Sequence, residues 1–146
     1  MRKAWIPYFD KNLSAIIFIT ALSGYDQTLL EDSEKNRMID AIELFTDIAN
    51  NAVMCKNPII LLLNKMDVFE EKILRSQIAD YFPEFTQNQS VSSGKAFFRG
   101  KFESVIKGTS RKTYIHFTMN TDQKLTKFVI EAVFKIVLDS NLSYLS

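Results

Sequence analysis

Four consecutive residues, Asn64-Lys65-Met66-Asp67, place an amide, an ammonium and a carboxylate directly after the apolar run Pro58-Ile-Ile-Leu-Leu-Leu63. That order can read a guanine base. Guanine presents its N1 hydrogen and exocyclic amine side by side, and the two oxygens of an ionised Asp67 can accept both in a forked, charge-assisted pair. Adenine lacks this pair of donors, and a carboxylate left desolvated beside the wrong base costs about 1–3 kcal/mol. The methylene stem of Lys65 can lie along the flat face of the base while its ammonium stays hydrated. The Asn64 amide can bridge base and neighbouring loop. The same residues also suit an ordinary polar turn, in which Asp67 caps the following helix and Glu70 completes a capping box.

A second loop, Thr118-Met119-Asn120-Thr121, follows the β-rich segment Thr113-Tyr-Ile-His-Phe-Thr118 and opens the last helical pattern. Two such loops can close around one base, with a backbone N–H of the second donating to guanine O6, the acceptor that adenine replaces with an amine. Taken alone, this loop is also a plain helix cap, since Thr and Asp are favoured there.

These loops need strands to hold them. Ser14 to Ala21 is continuously apolar and β-branched, the pattern of a strand buried on both faces of a parallel sheet. Ser33 to Asn50 sets Met38, Ile42, Phe45 and Ala49 on one helical stripe. After the strand at Pro58 to Leu63, a short helical pattern covers Val68 to Arg75; Tyr81 to Ser90 reads as turn and loop. Lys95 to Ile106 resumes helical spacing through Phe98, Phe102 and Ile106. A final helix, Lys124 to Asn141, is capped by Thr121 or Asp122 and turns Leu125, Phe128, Ala132 and Ile136 inward. Strands alternating with helices predict an α/β three-layer sandwich with a mostly parallel sheet and its ligand edge at the strands' carboxyl ends. No internal repeat, low-complexity tract or long linker divides residues 1–146, which read as one domain.

Composition narrows the function. The 18 basic and 17 acidic residues are interspersed, with a formal charge of +1, which argues against a nucleic-acid partner. The longest apolar runs, Ala15 to Ile19 and Ile59 to Leu63, fall far short of the roughly 20 residues that span a bilayer. The lone cysteine, Cys55, cannot form an internal disulfide and fits a reducing compartment; cytoplasm is the expectation. His116 has no cluster of nitrogens or thiols around it in sequence and reads as structural, and Phe45, Phe98, Phe102, Phe128 and Met38 read as core.

Arg2-Lys3-Ala4-Trp5, Ala21-Leu-Ser-Gly-Tyr-Asp26, Glu31-Asp32, Asn36-Arg37-Met38, Leu61-Leu-Leu-Asn-Lys65, Phe69-Glu-Glu-Lys72 and Phe82-Pro-Glu84 resemble, in order and spacing, the C-terminal half of heterotrimeric G-protein alpha subunits. The resemblance implies the C-terminal half of a P-loop, Ras-like GTPase domain that begins within the switch II helix and carries no helical domain. Asn64, Lys65 and Asp67 would then be the guanine-specificity residues, with Met119, Asn120 and Thr121 in the family's T-C-A-T loop. Here Met119 stands for the cysteine and Asn120 for the alanine. Arg2, Lys3 and Trp5 resemble the switch segment that meets the beta-gamma dimer or effectors. Asp40 stands where the family has the glutamate that pairs with the arginine matched by Arg2. The last helix and the tail Leu142 to Ser146 resemble the end that contacts a G-protein-coupled receptor.

No Gly-x-x-x-x-Gly-Lys-Ser/Thr sequence occurs in the chain, so no loop of the kind that cradles phosphates is present. By the resemblance, the catalytic arginine, the magnesium-binding threonine and the D-x-G-G-Q segment would precede Met1. The expectation is therefore a guanine nucleotide-binding transducer of receptor signals. GTP hydrolysis and Mg2+ binding would belong to its complete form, at the cytoplasmic face of the plasma membrane. The alternative is a truncated, non-enzymatic module that binds receptor or effector.

Overall fold

The structure is a computed structural model describing residues 15–51, 57–106, 112–119 and 122–145, with part of the last helix described by its backbone alone. The strands β1 (Ile16–Ala21), β2 (Ile59–Asn64) and β3 (Thr113–Phe117) form a parallel sheet in the order β1-β2-β3. Three longer helices, α1 (Arg37–Ala49), α3 (Val91–Ile106) and α4 (Asp122–Leu145), and the short α2 (Met66–Lys72) complete the elements that position the site. The expected three-layer α/β arrangement is present, with helices on both faces of the sheet.

β2 organises the molecule because it pairs on both sides and every residue from Ile59 to Leu63 is fully buried. Its side chains alternate between the faces. Ile59, Leu61 and Leu63 join Phe18, Phe45, Phe69, Phe98 and Phe102 in the larger core. Ile60 and Leu62 face the other way, against Tyr114, Phe128, Val129, Ala132 and Val133. Edge-to-face ring pairs such as Phe18–Phe45 and Phe45–Phe102, both with centroids 5.3 Å apart, fasten β1, α1 and α3 to one another.

Several expected elements shift. β1 is buried on one face only: Phe18 is covered, whereas Ile17 and Ile19, in register with Ile60 and Leu62, are 37% and 50% exposed. The continuous apolar run therefore does not reflect cover on both sides among the described residues. α1 starts at Arg37 instead of Ser33, because Thr28 and Asn36 form an antiparallel bridge that commits the intervening residues to a turn. Asn36 is the cap: its Oδ1 accepts from Met38 N–H at 2.8 Å and Ile39 N–H at 3.1 Å, and its Nδ2 donates to Tyr25 O at 2.7 Å.

α3 begins at Val91, four residues before the expected Lys95. Its first turn is polar and hides from apolar periodicity, but Ser90 and Ser93 cap it reciprocally, Ser93 N–H donating to Ser90 Oγ at 3.0 Å and Ser90 N–H to Ser93 Oγ at 2.9 Å. Gly94 in that turn lets α3 press on α2: a Cβ there would lie 2.7 Å from Ile73 Cδ1 and 2.8 Å from Phe69 Cζ. α2 occupies Met66–Lys72 instead of Val68–Arg75, and α4 runs Asp122–Leu145 instead of Lys124–Asn141. No helix among the described residues is long and apolar enough to cross a membrane.

Candidate functional site

Asn64 is the last residue of β2 and Thr118 follows the last residue of β3, so parallel pairing alone brings the two candidate loops to one edge of the sheet. Hydrogen bonds then stitch them together. Thr118 N–H donates to Leu63 O at 2.9 Å, Met66 N–H donates to Thr118 O at 3.2 Å, and Thr118 Oγ1 donates to Asn64 Oδ1 at 2.9 Å. Thr118 is buried and Asn64 half-buried. Oδ1 is taken by Thr118, and the Asn64 Nδ2 hydrogens have no acceptor among the described residues.

Between Asn64 and α2 the chain turns through Lys65, whose φ of 59° and ψ of 42° lie in the left-handed region. It is the one non-glycine residue with positive φ among those described. A side chain in that conformation costs roughly 1–2 kcal/mol, a strain that the surrounding hydrogen bonds hold in place. The consequence is directional. Lys65 takes the cap position of α2 with no side-chain cap bond, which overturns the reading of Asp67 as the capping residue. Asp67 instead sits in the first turn of α2, exposed, with no hydrogen bond or ion pair to any described residue. Among the described residues nothing competes for its carboxylate oxygens.

What fixes α2 is a polar network that sequence reasoning did not find. Lys72 Nζ is nearly buried and donates to Ser23 O and Asp26 Oδ1, both at 2.6 Å. Ser76 Oγ donates to Asp26 Oδ2 at 2.9 Å, and the Tyr25 hydroxyl donates to Ser76 O at 2.8 Å. Desolvation of the buried Tyr25 ring raises its pKa above the usual phenol value, so it stays a donor. Gln89 closes the far side: its Oε1 accepts from Ile78 N–H at 2.7 Å while its Nε2 donates to Ile73 O at 2.7 Å and Ser76 O at 3.0 Å. Phe69, fully buried, meets Tyr25 and Phe98 edge-on. The turn Leu22–Asp26 after β1 is thus a clamp on the helix that carries Asp67. Lys95 of α3, 4.5 Å from the Phe117 ring centroid, covers the end of β3 in the same way.

Of the other expected site residues, Met119 is exposed beside Thr118. Arg2, Lys3, Trp5, Asn120, Thr121 and Cys55 lie outside the described residues. Asp40, in the first turn of α1, has its carboxylate 3.8 Å from Lys35 Nζ. His116 packs edge-on against Phe128 with ring centroids 5.0 Å apart. No cluster of three or more His, Cys, Asp or Glu that could hold a metal occurs among the described residues.

Comparison with known proteins adds what the geometry alone leaves open. A family model described as the G-protein alpha subunit matches residues 1–137. The guanine nucleotide-binding protein alpha-1 subunit of Mycosarcoma maydis is 42% identical over 141 residues, which is 97% of this chain and 40% of that protein. The G(o) subunit alpha proteins of Lymnaea stagnalis and Locusta migratoria are each 41% identical over 141 residues, with the same shares covered. The chain thus spans about two fifths of the length of these curated relatives.

Proposed function

The chain belongs to the G-protein alpha subunit family, and from that membership we propose that it supplies the guanine-reading loops of a guanine nucleotide-binding alpha subunit. The observation that carries this reading is the pairing of a tethered Asn64 with an untethered Asp67 on either side of a strained Lys65. Asp67 accepts the N1 and N2 hydrogens of guanine, the Lys65 stem lies against the ring face, and Asn64 Nδ2 donates towards the base. Backbone N–H groups of the segment Met119, Asn120 and Thr121 meet O6. The donor set fits the guanine end of GDP or GTP.

The phosphate end is a different matter, because no phosphate-cradling glycine motif occurs in the 146 residues. In this reading GTP hydrolysis and Mg2+ binding belong to the complete alpha subunit, of which residues 1–146 are part of one GTPase domain. There the metal and positively charged groups stabilise the charge on the transferred phosphoryl group. Signal transduction follows from partners on other surfaces. Arg2, Lys3 and Trp5, with Asp40 on α1, face the beta-gamma dimer or an effector, and α4 faces a G-protein-coupled receptor. The setting is the cytoplasmic face of the plasma membrane.

Nucleosides test the base-reading step without requiring a phosphate site. Saturation-transfer NMR of the purified chain is expected to detect guanosine and not adenosine. Asp67→Asn replaces one acceptor oxygen with a donor, so it weakens guanosine and admits xanthosine, whose 2-oxo group accepts that hydrogen. Equal signals from guanosine and adenosine would sink the proposal.

A second reading, a module that binds receptor or effector without turnover, is favoured by one observation. Ile130, Phe134 and Leu138 recur every four residues along α4 and are 59%, 65% and 51% exposed. Binding of receptor cytoplasmic-loop peptides by the chain, unaffected by Asp67→Asn, is its expected signature; no binding at all would end it.

A further inference from the structure

We infer that the cleft between β3 and α4 is a binding site for a free aromatic α-amino acid. Tyr114 and His116, two residues apart on β3, point to the same face of the sheet, and α4 presents Phe128 and Ala132, one turn apart, across from them. Between these side chains lies a cavity of about 230 Å³. Among the described residues its walls are rings, Tyr114 and Phe128 with the His116 imidazole edge-on to Phe128, beside the small side chain of Ala132. The volume is below the range of about 300–1,000 Å³ typical of sites for drug-sized molecules, so the cavity suits a ligand built on a single ring.

Glu131 and Lys135 line the same cleft, exposed and four residues apart, yet they form no ion pair with each other or with any described residue. Residues at that spacing stand about 5–6 Å apart at Cβ. An α-ammonium and an α-carboxylate, carried on one carbon, bridge that gap with the ammonium donating to Glu131 and the carboxylate accepting from Lys135. A ligand with one charge satisfies one side chain and is repelled by the other. Burial and the positive charges of Arg99 and Lys135 lower the pKa of His116, so the imidazole beside the ring is neutral at pH 7 and adds no competing cation. The cleft shares no residue with the loops at Asn64 and Thr118, and the inference stands apart from the guanine reading.

The chain contains a single histidine, which makes its ring resonances unambiguous reporters. Titration of the full chain with L-phenylalanine, followed by NMR at the His116 ring, is expected to give a saturable shift. 3-Phenylpropionate and phenethylamine, each lacking one charge, are expected to bind about tenfold more weakly, the loss of one charge-assisted hydrogen bond. Ala132→Leu fills the cavity and abolishes the shift, and the surface change Glu131→Gln weakens L-phenylalanine while leaving 3-phenylpropionate no weaker than before. The absence of a saturable shift with L-phenylalanine, or equal binding of all three molecules, overturns the inference.

Discussion

The Thr118 hydroxyl donates to Asn64 Oδ1 at 2.9 Å across 54 residues of chain. This bond sets which way the Asn64 amide points, because once Oδ1 accepts from Thr118 the Nδ2 hydrogens must face away from it. Thr118→Val keeps the shape and removes the donor. It is expected to cost about 0.5–1.5 kcal/mol in urea unfolding and to weaken guanosine binding while leaving the exclusion of adenosine, which is proposed to rest on Asp67. An unchanged unfolding midpoint would mean that the bond contributes nothing.

Lys65 offers a test in which stability and binding move in opposite directions. Glycine adopts its left-handed backbone without strain, so Lys65→Gly should raise stability by up to about 1 kcal/mol. The same change removes the stem proposed to cover the base and should weaken guanosine. A destabilised variant would show that the strain is offset by packing of the lysine itself.

The Asp26–Lys72 pair is the costliest polar feature to break. Asp26→Ala leaves a nearly buried ammonium with Ser23 O as its remaining hydrogen-bond acceptor among the described residues and is expected to destabilise by about 3–5 kcal/mol. Adding Lys72→Met removes the stranded charge and should restore much of that loss. Chemical denaturation of the two single variants and the double variant reads the coupling directly.

Two glycines in one helix make a controlled comparison. At Gly94 a methyl group would collide with Phe69 and Ile73, whereas at Gly100 no heavy atom lies within 4 Å. Gly94→Ala should therefore lower the melting temperature, with overpacking of about 1–3 kcal/mol outweighing the gain in helix propensity. Gly100→Ala should raise it by the propensity gain alone, up to about 1 kcal/mol.

His116 gives the fold a pH dependence of known sign. Its pKa is lowered in the folded protein, chiefly by burial and then by Arg99 and Lys135. The unfolded chain therefore binds the proton first as pH falls. Stability from this group is fully present above the unfolded value of about 6.5 and declines as pH falls through the folded value. His116→Phe should flatten the stability profile between neutral and mildly acidic pH; an unchanged slope would assign it to other groups.

The candidate loop Asn64 to Asp67 was legible because the motif is local: four adjacent residues after an apolar run announce a strand end and its loop. The capping alternative for Asp67 was equally legible and failed, since the decision rested on the backbone angle of Lys65, which residue type does not reveal. The start of α1 was misjudged for a related reason. The helical pattern reaches back to Ser33, but the bridge between Thr28 and Asn36 delays the helix and makes Asn36 its cap. Lys72, Asp26, Ser76 and Gln89 were invisible as a site because their contacts join residues 13 to 50 positions apart. Each reads alone as an ordinary surface polar residue. The one available signal was the company they kept, in that the segments Ala21 to Asp26 and Phe69 to Lys72 both carried the family resemblance, and the structure shows them bonded to each other.

β2 pairs on both sides and is buried from Ile59 to Leu63. Amides in such a strand exchange with solvent only when the whole domain opens, whereas exposed turns exchange through local fluctuations. Asn64 hangs from the end of that strand. Its Oδ1 is held by Thr118, so the amide is arranged by the fold itself, and a base of the proposed kind would not have to order it.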